Sequence, residues 1–108
     1  MATITYEEIS SATTTTLLAK DGSDSEGFLL SGDLDQIVIV NHHDSDSNTI
    51  KLYLDDGGAG GDPTLLETVI PSRASLVLDH NIYFDINTYS LKLTTSSAAN
   101  LTVIIYTI

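Results

Sequence analysis

The chain has 108 residues, with four Lys and Arg against fifteen Asp and Glu, a formal net charge of −11 and no cysteine. That length supports one hydrophobic core without disulfides or a structural metal, and zero Cys excludes a disulfide framework, a zinc ribbon, an iron–sulfur cluster and a thiol nucleophile. The acidic balance argues against nucleic acid and anionic membrane surfaces as partners, because both need a basic face.

Residue usage favours strands. Fourteen Thr, eleven Ile and five Val stand against seven Ala and four Glu, and β-branched side chains suit a pleated sheet better than a helix. Eleven Asp against four Glu places much of the negative charge in turns, where Asp is at home.

Residues Met1–Ser11 read as a Thr-rich N-terminal arm, with Tyr6–Ser11 as the one stretch resembling a short helix. The opening has neither the basic nor the apolar region of a secretory signal. Residues 12–108 read as a single domain. Thr13–Lys20, Phe28–Ser31 and Gln36–Asn41 are expected strands, with polar turns at Asp21–Gly27 and His42–Asn48. In the next strand Ile50, Leu52 and Leu54 alternate with Lys51, Tyr53 and Asp55, the period of a half-buried strand. The Gly-rich stretch Asp55–Pro63 follows, then a strand at Leu65–Ile70 that Pro71 ends. Leu76 and Leu78 alternate with Ser75 and Val77, and Ile82–Phe84 is a short strand. Tyr89, Leu91 and Leu93 alternate with Ser90, Lys92 and Thr94, and Leu101, Val103 and Ile105 alternate with Thr102, Ile104 and Tyr106. About eight short strands at this spacing define the expected fold class: all-β, an antiparallel β-sandwich of jelly-roll type.

Two segments carry more apolar residues than a sandwich needs. Ile37–Val40 and Val103–Ile108 are apolar on both faces, whereas a two-sheet sandwich buries one face of each sheet. Contiguous surplus apolar positions mark an interface. Val38, Val40, Ile104, Tyr106 and Ile108 are the candidate interface residues, to be covered by the arm or by another subunit.

Chemistry-bearing patterns are sparse. His42 and His43 are neighbours, and adjacent strand residues point to opposite faces, so they do not readily share a metal ion. Asp44-Ser45-Asp46-Ser47-Asn48 alternates oxygen ligands but lacks the central Gly and distal Glu of a calcium loop. Asp55, Asp56 and Asp62 flank the Gly-rich stretch and, like the Asp44–Asn48 loop, leave two readings open, a weak surface calcium site or a solvated loop. Gly57–Gly61 has no Lys-Ser/Thr ending and acidic flanks, so it is no phosphate loop. There is no Gly-x-Ser-x-Gly elbow. The three His, at 42, 43 and 80, have the wrong spacing for a cupin metal site. No catalytic residue, cofactor or metal is therefore expected. Tyr53 and Tyr83, read as outward-facing, are the residues a sugar platform would use.

The second half resembles the small β-sandwich or jelly-roll structural proteins of tailed-phage particles. The resemblance rests on Ile37-Val38-Ile39-Val40-Asn41, Ile50-Lys51-Leu52-Tyr53-Leu54, Leu66-Glu67-Thr68-Val69-Ile70-Pro71-Ser72-Arg73-Ala74-Ser75-Leu76-Val77-Leu78, Tyr89-Ser90-Leu91-Lys92-Leu93-Thr94-Thr95 and Asn100-Leu101-Thr102-Val103-Ile104-Ile105. It covers about two thirds of the chain, Gln36–Ile108. Ser72-Arg73 stands where those proteins have Ala-Gly, which leaves a glycine-dependent turn without its glycine. The resemblance implies a non-enzymatic virion protein, foremost a capsid decoration or cement protein. It would be assembled in the host cytoplasm as an oligomer, typically a trimer, and bind the major capsid protein or another virion protein. The alternative is a neck, tail or receptor-binding module that holds carbohydrate.

Overall fold

In a computed structural model the described residues are 3–22, 33–58, 62–79, 81–96 and 100–107. They form nine strands: β1 (Thr3–Ile9), β2 (Thr14–Leu18), β3 (Asp33–Asn41), β4 (Asn48–Asp55), β5 (Thr64–Ile70), β6 (Ser75–Leu78), β7 (Ile82–Tyr83), β8 (Ser90–Thr95) and β9 (Leu101–Thr107). The expected strand at Phe28–Ser31 lies outside the described residues. All pairings are antiparallel.

The strands form two sheets, ordered β1-β9-β3-β6 and β2-β8-β4-β5. Strand β7 pairs with Asp33 and Leu34 of β3 while β6 pairs with Ile37–Val40, so the two follow one another along the same edge. With β6 and β7 counted as one interrupted strand, the interleaved order is that of a jelly roll. The fold class expected from the alternation is the one found.

Alternation explains why these layers form. Ile37 and Ile39 of β3 and Val103 and Ile105 of β9 face Ile50 and Leu52 of β4 and Leu91 and Leu93 of β8, all fully buried. Each such side chain contributes about 1.5–3 kcal/mol of transfer free energy. Leu17, Leu18, Phe84 and Ile86 extend the same core.

The N-terminal segment departs from expectation. It is neither a helix nor a free arm. Thr3–Ile9 pairs residue for residue with β9, from Thr3 opposite Thr107 to Ile9 opposite Leu101. Period-two alternation, with Thr5, Glu7 and Ile9 on the inner side, outweighs the helix preference of its two Glu. Ile9 reaches the core. Glu7 points inward on an edge strand, a device that discourages further strands from adding there.

Two polar details fix the ends. Asn41 is fully buried at the end of β3. Its Nδ2 donates to the carbonyls of Asp46 and Ile70, each at 3.0 Å, and its Oδ1 accepts from the His43 amide at 3.1 Å. Ile70 ends β5 of the other sheet, so this side chain ties the two layers together. In the turn after β5, the Ala74 amide donates to the Pro71 carbonyl at 3.1 Å, and Arg73 adopts φ 61°. Arg73 thus holds the left-handed conformation that glycine ordinarily supplies, and the turn survives without its glycine.

Replacing Asn41 by Leu, of similar size, strips two carbonyls and one amide of their partner. It is expected to lower the unfolding free energy by about 2 kcal/mol or more. Urea unfolding followed by circular dichroism measures this, and an unchanged midpoint would contradict the bridging role.

Candidate functional site

The outer face of the first sheet is apolar across its middle, where the two central strands of the second are largely polar; the edge strand β5 of the second sheet adds the exposed Leu65 and Val69. On the second sheet the outward positions of β4 and β8 are Lys51, Tyr53, Asp55, Ser90, Lys92 and Thr94, opposite the buried Ile50, Leu52, Leu54, Leu91 and Leu93. On the first sheet the register aligns Tyr6, Ile104, Val38 and Val77 in one row across β1, β9, β3 and β6. Ile4, Tyr106 and Gln36 make the row on one side. Glu8, Thr102, Val40 and Ser75 make the row on the other.

Ile4, Tyr6 and Val77 keep 50%, 65% and 50% of their surface exposed. No chain segment among the described residues covers them. Val38, Val40, Ile104 and Tyr106 are half-buried because neighbours on both sides flank them in the middle of the sheet. Four of the five candidate interface residues therefore lie on one contiguous face, and Ile108 lies outside the described residues. The middle row is wholly apolar, Gln36 is the polar member of the second, and Glu8, Thr102 and Ser75 make the third mostly polar. Glu8 accepts from Thr102 Oγ1 at 2.8 Å and lies 3.6 Å from His42 Nε2.

Ile4, Tyr6 and Val77 belong to the patch but escape a reading that starts from runs apolar on both faces in β3 and β9. The signal was present: Leu76-Val77-Leu78 is itself such a run, and Ile4 and Tyr6 alternate with Thr5 and Glu7. Tyr53 and Tyr83, paired as a sugar platform, point from opposite layers. Tyr53 is outward on β4 of the second sheet, with the Lys51 ammonium 5.3 Å from its ring centre. Tyr83, 77% exposed, is outward on β7 of the first. They do not form one surface.

Several titratable groups hold turns or neighbouring side chains. Lys92 Nζ lies 2.6 Å from Asp55 Oδ2. The hydrogen bond from Lys92, with a second from the Gly57 amide, holds the Asp55 carboxyl below its ordinary range, and the same bond raises Lys92. Asp55, Asp56 and Asp62 bring one carboxylate oxygen each within 4.8 Å of one another. Asp55 and Asp56 cap the amides of Gly57 and Gly58, both at 2.8 Å, and the cation beside the group is Lys92. Asp85 is likewise lowered, first by Thr88 Oγ1 at 2.7 Å and then by the Asn87 amide. Of the histidines, His43 engages two loop amides through Nδ1, His42 faces Glu8, and His80 lies outside the described residues.

No family model matches the chain, and no curated protein matches it. Some solved structures are similar to it at low identity. The Yersinia pseudotuberculosis-derived mitogen is similar over all of this chain and 86% of its own, at 14% identity and a TM-score of 0.48. A subunit of the Bacillus endospore appendages, disulfide-linked pili, is similar over the same shares at 14% identity and 0.47. The family 11 carbohydrate-binding module of Clostridium thermocellum is similar over 99% of this chain and 83% of its own, at 11% identity and 0.39. These likenesses concern the sandwich alone and transfer no function.

Lowered carboxyls fix a direction for acid unfolding. The stability contributed by Asp55 and Asp85 is complete above the ordinary carboxylate range. It is lost as pH falls through their depressed folded values, below about pH 4. Asp55→Asn is therefore expected to flatten the acid limb of the stability profile, measured by thermal melts between pH 2 and 6. An acid limb as steep as in the wild type would contradict the Lys92 pairing.

Proposed function

We propose that this chain is a non-enzymatic structural module of a tailed-phage particle. It acts as a capsid decoration or cement protein that assembles as an oligomer, a trimer, and presses the outer face of its first sheet onto protein. The observation that carries this reading is the contiguous apolar face built by Ile4, Tyr6, Val38, Val40, Val77, Ile104 and Tyr106. The resemblance of Gln36–Ile108 to small virion sandwich proteins supplies the setting.

Size supports a repeated contact over a lone permanent pair. Four strands about 4.8 Å apart and three rows about 6.8 Å apart give a projected face on the order of 400 Å². A standard protein–protein contact buries about 800 Å² on each partner. A patch of this size suits a symmetric assembly, where each modest contact recurs many times. The non-enzymatic part of the reading is supported by the duties of the polar groups. Asp55, Asp85 and His43 each hold a turn or a neighbouring side chain in place.

Light scattering behind size exclusion tests the assembly. The wild-type chain is expected near three times 11.6 kDa, and Ile104→Asp is expected to yield a folded monomer. Ile104 sits in the middle row with its side chain on the outer face, so the substitution adds charge without opening the core. A variant that keeps the native mass, or a wild type that is monomeric at every concentration, would overturn the oligomeric reading.

A further inference from the structure

The loop between β3 and β4, residues 42–47, is organised around one imidazole. His43 is half-buried, and its Nδ1 accepts two backbone N–H groups, from Ser45 at 3.2 Å and from Asp46 at 3.0 Å. Accepting at Nδ1 requires a lone pair there, so the ring is neutral and carries its proton on Nε2. That N–H faces Asp46 Oδ2 at 3.8 Å. The backbone of His43 is held on both sides. Its amide donates to the buried Asn41 Oδ1 at 3.1 Å, and its carbonyl accepts from Ser72 Oγ at 2.6 Å. The imidazole thus serves as the internal cap of its own loop, and the loop is fastened to the turn that follows β5.

A second proton on this ring goes to Nδ1, where two amide hydrogens already point. Three donors then converge on one spot and no acceptor remains, so both loop bonds are lost. The charged groups nearby cannot replace them. Asp46, on the same loop, faces Nε2 and not Nδ1. Asp44 is engaged by Arg73 of the β5–β6 turn at 3.2 Å. Glu8 of β1 faces His42, 3.6 Å away.

We propose that His43 is a pH-sensitive latch. Neutral, it closes the 42–47 loop over the Ser45 and Asp46 amides. Protonated, it releases them, while Nε2–H keeps facing the Asp46 carboxylate. The latch borders the row of Glu8, Thr102, Val40 and Ser75, so acidification alters the rim of the apolar face. The inference rests on the His43 geometry and stands whether or not that face is an interface.

Nuclear magnetic resonance of the full 15N-labelled chain between pH 8 and pH 5 tests it. The neutral ring is expected to show the Nε2–H tautomer. As His43 titrates, the Ser45 and Asp46 amide protons are expected to shift upfield together. Their exchange, corrected for its intrinsic pH dependence, should quicken about tenfold, while amides inside β3 and β4 stay unchanged. His43→Gln, which cannot titrate, should abolish the step, and His42→Gln should keep it. A neutral ring protonated on Nδ1 would overturn the proposal. So would Ser45 and Asp46 amides that ignore the His43 titration, or a step that persists in His43→Gln.

Discussion

Two sheets pressed together bury one side of each and leave the other side to water. That constraint governs this molecule, because nearly every strand obeys it and one outer face does not. The inner positions of β3, β4, β8 and β9 are mostly fully buried aliphatic residues. The outer positions at the centre of the second sheet are Lys, Asp, Ser and Thr beside Tyr53, and only its edge strand β5 exposes aliphatics there, Leu65 and Val69. The outer positions of the first sheet are instead Ile, Val and Tyr over its middle row, continued by Ile4 and Tyr106 beside Gln36. A chain with a net charge of −11 has ample polar residues for that surface. Their absence from the middle row is a feature of the sequence that the sandwich itself does not require.

Strand order then determines how far this face extends. The first and last strands of the chain lie side by side, and β1 continues the apolar surface of β9 outward with Ile4 and Tyr6. Had residues 1–11 remained an arm, Tyr106 and Ile104 would lie at the edge of the sheet. Because the segment is a strand, they lie in its middle, and the face is four strands wide. On the far side β6 adds Val77. At one end of the face the Glu8–Thr102 bond and His42 form a small polar rim. Beyond it the 42–47 loop is held by Asn41, His43 and Ser72.

Much of this was legible in the residues, for identifiable reasons. Period-two alternation of Ile, Leu and Val marks inner and outer positions directly, so the strands, the sandwich and the outward placement of Val38, Val40, Ile104 and Tyr106 followed from it. Short-range cues misled where they competed with long-range pairing. The two Glu after Tyr6 suggested a helical turn, but β9 offers that segment seven paired residues. Arg73 stands where a glycine was expected, and the surrounding turn still imposes the left-handed conformation on it. The separation of Tyr53 from Tyr83 depends on which sheet each strand joins, and alternation within a strand carries no information about that. The role of His43 was equally hidden, since it arises from where a loop folds its own amides.

Coverage of the outer face of the first sheet by protein on assembly is the central proposal, and tyrosine footprinting tests it most directly. Nitration of the assembled and the dissociated chain, read by peptide mass spectrometry, compares Tyr6 and Tyr106 on that face with Tyr53 on the opposite one. Assembly is expected to protect Tyr6 and Tyr106 and to leave Tyr53 unchanged. Protection of Tyr53 with Tyr6 and Tyr106 still reactive would place the contact on the other sheet and contradict it.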